Sequence, residues 1–170
     1  MPLFSVFFPL RMAALASIVV LSACSKKSDD PTPVATIYNI SWTVDGKDYT
    51  APATSNRVTV NGNTVSIAGS YLVNSNDYHS LTLNIPAAVG TYDIRNTNST
   101  SLCVASYQTS LGGSGNAYTA SNTLGIGSGT IKVNTFTATD ITGTFSFAGT
   151  DLSNSAITKT ITNGKFAIKR

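Results

Sequence analysis

From Tyr38 onward, apolar and polar residues alternate with the period of two that half-buried strands require. Tyr38, Ile40, Trp42 and Val44 form the first such run, and Asp45-Gly46 follows, a dipeptide suited to a type I′ turn. A two-residue loop there pairs Val44 with Lys47 and sets Trp42 opposite Tyr49, so both rings share the Ile40 face. A second hairpin is predicted over Arg57–Tyr71, turning at Asn61-Gly62 and setting Val58 opposite Val65. Leu81, Leu83 and Ile85 alternate through the next strand, Ser80–Ile85, which Pro86 ends. Gly90 turns the chain into a strand at Thr91–Ile94.

The pattern then loosens. Arg95–Ser101 reads as a polar loop and Leu102–Tyr107 as a mostly apolar strand. Thr109–Asn116 reads as the longest glycine-rich loop, and Tyr118–Thr123 as a short edge strand. Regularity returns where Ile141, Gly143, Phe145 and Phe147 alternate with Thr142, Thr144 and Ser146. Ile157–Thr162 runs into Asn163-Gly164, a predicted third hairpin that sets Ile161 opposite Phe166. No amphipathic helix is visible beyond the first two dozen residues. Roughly ten to twelve short strands joined by tight turns predict an all-β domain, an antiparallel β-sandwich or flattened up-and-down barrel built mainly from consecutive hairpins.

The first residues break this pattern. Met12–Leu21 is an apolar core behind Arg11, and Ser22 and Ala23 are small residues before Cys24. That is the layout of a secretory leader. Arg11 and Pro9 interrupt the apolar run, which argues against a retained membrane span. Leu21-Ser22-Ala23-Cys24 resembles the bacterial lipobox, in which the cysteine thiol takes a diacylglycerol and becomes the first residue of the mature, acylated chain. The resemblance implies a membrane anchor on Cys24. The predicted organisation is a lipoprotein signal peptide over 1–23, a lipidated cysteine and flexible tether over 24–36, and a single β domain over 37–170.

Residues 25–36 carry Lys26, Lys27, Asp29 and Asp30 with two prolines, a composition suited to an extended linker. Fully stretched, such a linker reaches about 40 Å. It also resembles the charged segment that follows the cysteine in surface-exported lipoproteins of Bacteroidota, with Asp29 and Asp30 as the acidic pair. The expected location is therefore the outer membrane by its lipid anchor, on the cell surface, with the periplasmic face as the alternative.

Composition excludes several function classes. The formal charge is +3, with no basic block to hold nucleic acid. Every acidic residue is aspartate, and the chain has one histidine, His79. One histidine builds neither a multi-histidine metal site nor a recognisable triad. His79 reads as a surface or turn residue. The turns at Asp45–Asp48 and Asn74–Asp77 lack the closing glutamate of a calcium loop. With two cysteines and Cys24 lipidated, Cys103 has no partner in the chain and reads as a small buried hydrophobe.

In the β domain, Ser41–Ala51, Val89–Tyr92, Ser128–Ile131, Ile141–Phe147 and Ile161–Phe166 fall in an order that resembles a family of small Bacteroidota lipoproteins known only as a domain of unknown function. That family has no catalytic residues to carry over. The expectation is a non-enzymatic binding or adhesion module without cofactor or metal, whose partner is a glycan, a peptide or an envelope protein. A periplasm-facing structural lipoprotein and a small barrel for a hydrophobic ligand are the alternatives. Tyr107 and Tyr118, flanking the glycine-rich stretch, are the candidate ligand-binding residues.

Overall fold

The computed structural model describes residues 37–74, 76–95, 101–111 and 114–170. Cys24, the leader, the tether and most of the polar loop after Arg95 lie outside them. The described chain forms eleven strands: β1 (Ile40–Val44), β2 (Lys47–Ala51), β3 (Arg57–Asn61), β4 (Thr64–Leu72), β5 (Tyr78–Pro86), β6 (Gly90–Asp93), β7 (Val104–Leu111), β8 (Ser114–Ser121), β9 (Ser128–Phe136), β10 (Asp140–Asp151) and β11 (Thr158–Lys169). A single 3₁₀ turn at Ala53–Ser55 joins β2 to β3. The all-β expectation holds.

All the pairings are antiparallel. They run in the order β2-β1-β11-β10-β8-β7-β5-β4-β3, and β9 pairs both β10 and β6. Strand β10 is shared on one side: β9 lies along Ile141–Ala148 and β8 along Thr150–Asp151. The order ends at β2 and β3, which do not pair with each other, so the sheet curls as a half-barrel. Side chains pack across the unpaired ends. A Cβ added at Gly69 on β4 would stand 2.8 Å from Ile40 Cδ1 and 3.0 Å from Ala51 Cβ.

Alternation accounts for the core. In β5 the buried positions are His79, Leu81, Leu83 and Ile85; in β10 they include Ile141, Phe145 and Phe147. Glycine makes room for rings where β10 meets β11. Gly143 pairs with Phe166, and Phe145 pairs with Gly164. An added Cβ would come within 2.2 Å of the Phe166 ring at Gly143 and 2.4 Å of the Phe145 ring at Gly164. Each ring thus lies over the bare backbone of its cross-strand partner, a known way for aromatics to compensate glycine in a sheet.

The predicted hairpins fare unequally. The first has the expected register, Val44 with Lys47 and Trp42 with Tyr49. Asp45 and Gly46 both have positive φ, 51° and 75°, as a type I′ turn demands. The second turn lies one residue later than predicted. Asn61 pairs with Thr64 and Val58 with Ile67, so the loop is Gly62-Asn63. Gly62 has φ 56° and Asn63 is not positive, the pattern of a type II′ turn, which takes glycine first.

The third predicted hairpin does not exist. β11 passes straight through Asn163-Gly164 as one strand of 12 residues. Ile161 pairs with Val44 and Phe147, and Phe166 with Ile40 and Gly143. Asn163, at φ 51°, forms a bulge that inserts one extra residue against both neighbours. Two other expectations are corrected. Pairing from Val104↔Ser121 to Leu111↔Ser114 turns the glycine-rich stretch into a tight hairpin. β8, predicted as an edge, is bonded on both sides, because Tyr118 and Thr119 in its second half also pair with the end of β10.

Candidate functional site

One end of the half-barrel gathers the β1–β2, β4–β5, β7–β8 and β10–β11 connections. A cleft of about 750 Å³ opens there. Its walls come from both ends of the pairing order: Tyr49 from β2, Tyr71 from β4, His79 from β5, Tyr107 from β7 and Tyr118 from β8. Asp45, Lys47, Asp48, Asp77, Asn116 and Lys159 supply polar groups.

Register brings the rings together. Tyr71 is directly opposite His79, and Tyr107 is directly opposite Tyr118. Tyr107 pairs with Leu81, which puts His79 on its diagonal, within reach of an aromatic side chain. Centroids are 6.4 Å apart for Tyr71–His79, 6.0 Å for His79–Tyr107 and 6.2 Å for Tyr107–Tyr118, with planes inclined by 34°, 14° and 22°. Tyr49 approaches from the other end of the sheet. Its ring is 4.1 Å from His79, meets Tyr71 edge-on at 5.7 Å and stacks on Trp42 at 6.0 Å.

Hydrogen bonds fix the interior. His79 Nδ1 and the Tyr107 hydroxyl are 2.6 Å apart and buried. Burial pushes the Tyr107 phenol up to about 12, so it keeps its proton. The hydroxyl and Nδ1 share one hydrogen bond, and the imidazole tautomer sets which of them donates. Burial also lowers the pKa of His79; Asp77 opposes the shift and Lys47 adds to it. Burial raises the pKa of Tyr49, with the Asp45 charge contributing.

At the rim, Lys159 bonds to Asp45 as an ion pair, and that bond raises the lysine pKa. Thr43 donates to Asp48 at 2.6 Å. In the β4–β5 turn, Asn74 Oδ1 accepts from the amides of Asn76 and Asp77, while Asn74 Nδ2 donates to the Asp77 carboxylate at 2.7 Å. This is an Asx-type turn, as its sequence suggests.

Tyr107 and Tyr118 both lie in the cleft wall, side by side, and are 2 % and 6 % exposed. His79, read from sequence as a surface or turn residue, is 8 % exposed and stands between Tyr49 and Tyr107. Sequence reasoning did not single out Tyr71, the wall ring with most free surface at 37 %. One signal was available. A turn centred on Asn74–Asp77 brings Tyr71 opposite His79, had that register been drawn. Among the described residues, no group of three His, Cys, Asp or Glu is arranged to hold a metal. Cys103 is buried, and its thiol is pushed up to about 11 by desolvation.

A protein-family model described as a domain of unknown function (DUF6252) matches residues 40–168, from the start of β1 into β11. Nothing matches the chain among the curated proteins or among the solved structures.

Proposed function

The chain belongs to that DUF6252 family, and we propose that it is a lipid-anchored envelope protein whose half-barrel presents a non-enzymatic binding cleft. Cys24 carries the lipid in this reading, on the outer membrane of a bacterium of the Bacteroidota, with the domain on the cell surface. One observation carries the binding role: five rings and five charged side chains converge on one cleft at one end of the sheet. Its volume falls in the range of about 300–1,000 Å³ typical of small-molecule sites. β1 starts at Ile40 and reaches the cleft with Val44, so the cleft lies at the opposite end of β1 from its first residue.

The rim separates this reading from that of a barrel for a hydrophobic ligand. Asp45, Lys47, Asp48, Asp77 and Lys159 line an open mouth, which suits a polar ligand better than a lipid chain. Metabolic labelling with a palmitate analogue tests the anchor. Wild type takes the label and sediments with membranes; Cys24→Ala does neither. A Cys24→Ala protein that still sediments with membranes contradicts the proposal.

A further inference from the structure

The near-parallel rings decide which surfaces a ligand can use. Tyr71, His79, Tyr107 and Tyr118 stand side by side along the sheet, with planes inclined by 34° or less between neighbours. Rings in such a row cover one another's faces. Tyr107 and Tyr118, at 2 % and 6 % exposure, have no face to offer. Tyr71 ends the row. His79 lies beside it at 6.4 Å, tilted by 34°, and Tyr49 meets it edge-on, and the ring is still 37 % exposed. The cleft therefore has one free aromatic platform beside a wall of phenols and an imidazole.

Charge narrows the ligand. Asp45, Asp48 and Asp77 face Lys47 and Lys159 around the mouth, so neither sign dominates. Lys159 bonds to Asp45 and lies within electrostatic reach of the Tyr49 and Tyr118 phenols, so a ligand cation would meet a like charge in the cleft. An anion would meet the three carboxylates. The carboxylates accept hydrogen bonds, Lys47 donates, and Asn116 does both. Such a set suits an uncharged molecule with many hydroxyls and one apolar C–H face.

We infer that the ligand is a short uncharged oligosaccharide, with one sugar ring seated on the outer face of Tyr71 and its hydroxyls bonded to the rim. This rests on the reading of the cleft as a binding site. The experiment uses the full-length protein in detergent. It is screened against neutral gluco-, galacto-, manno- and xylo-oligosaccharides from disaccharide to tetrasaccharide, their uronate counterparts, and a peptide library. Hits are then titrated by calorimetry.

A neutral oligosaccharide should bind, and Tyr71→Ala should weaken it about tenfold, the scale of one lost aromatic contact. Tyr71→Phe should keep most of the affinity and Tyr71→Trp should raise it, results that a misfolded variant cannot mimic. Equal affinity in all three variants, or no neutral saccharide bound, overturns the inference. Peptide binding abolished by Tyr71→Ala overturns the saccharide and leaves the cleft standing. Absence of any ligand sensitive to cleft substitutions removes both.

Discussion

The Tyr107 hydroxyl and His79 Nδ1 are hydrogen-bonded across 2.6 Å, joining β7 to β5 inside the cleft wall. The bond is buried, so removing either partner exposes the other's cost. Tyr107→Phe leaves Nδ1 without its partner and should destabilise the fold by about 1–3 kcal/mol, the desolvation penalty of an orphaned polar group. Urea unfolding of the two proteins measures it. An unchanged midpoint contradicts the bond.

His79 also makes stability depend on pH. Its folded pKa is held below the ordinary 6.5, first by burial. Below 6.5 the unfolded chain then binds more protons than the folded one, so stability falls as pH drops from that value toward the folded pKa. Asp140 and Asp151 act in a separate window. Their folded pKa values lie below 3.8, Asp140 through bonds from Thr139 and Tyr38 and Asp151 through Ser153, so their contributions are lost only as pH falls below 3.8. Melting temperatures should therefore decline from about pH 7 to 5 in wild type and stay flatter in His79→Phe, since the chain has one histidine. Parallel curves would contradict the assignment.

The ring-over-glycine pairing of β10 and β11 predicts intolerance at Gly164. A Cβ there would come within 2.4 Å of the Phe145 ring and 2.5 Å of its carbonyl oxygen. Gly164→Ala should cost about 1–3 kcal/mol through overpacking, read as a lower urea midpoint. Gly46→Ala makes a useful contrast. Its site has open space but φ 75°, so any cost there is backbone strain alone. Gly164→Ala at wild-type stability would contradict the packing.

Asn56 is 8 % exposed, and both polar atoms of its amide lack a hydrogen-bond partner among the described residues. It sits where Ile40, Ala51 and Gly69 converge, an apolar setting. Asn56→Leu, of similar shape, removes the unmet polar groups and should stabilise the domain by about 1 kcal/mol or more. Calorimetry should show a higher melting temperature; a lower one means that the amide has a partner there.

Local turn chemistry and alternation explain what could be read in the sequence. Asp45-Gly46 specifies a type I′ hairpin because both residues adopt positive φ, and Trp42 opposite Tyr49 follows. At Asn61-Gly62-Asn63 two loops are open to the same letters, and glycine in the first central position selects the later one. Asn163-Gly164 carries the strongest hairpin signal, yet the same positive φ at Asn163 serves a bulge inside a strand bonded on both sides. That choice is tertiary. The cleft is tertiary too: Tyr49, Tyr71, His79, Tyr107 and Tyr118 come from five strands, and only the curl of the sheet brings Tyr49 onto His79. Tyr107 and Tyr118 were visible as flanks of a glycine stretch, but their mutual stacking needed the hairpin register.

The central claim is an outward-facing cleft on a lipid-anchored domain, and cysteine labelling on intact cells tests it most directly. A membrane-impermeant maleimide should leave wild type unlabelled if Cys24 carries the proposed lipid, because Cys103 is buried with its thiol pushed up to about 11. Asn116→Cys, an exposed position in the cleft lining, should label fully before the outer membrane is opened. Labelling of Cys24 in wild type would contradict the anchor, and labelling of Asn116→Cys only after permeabilisation would contradict the outward cleft.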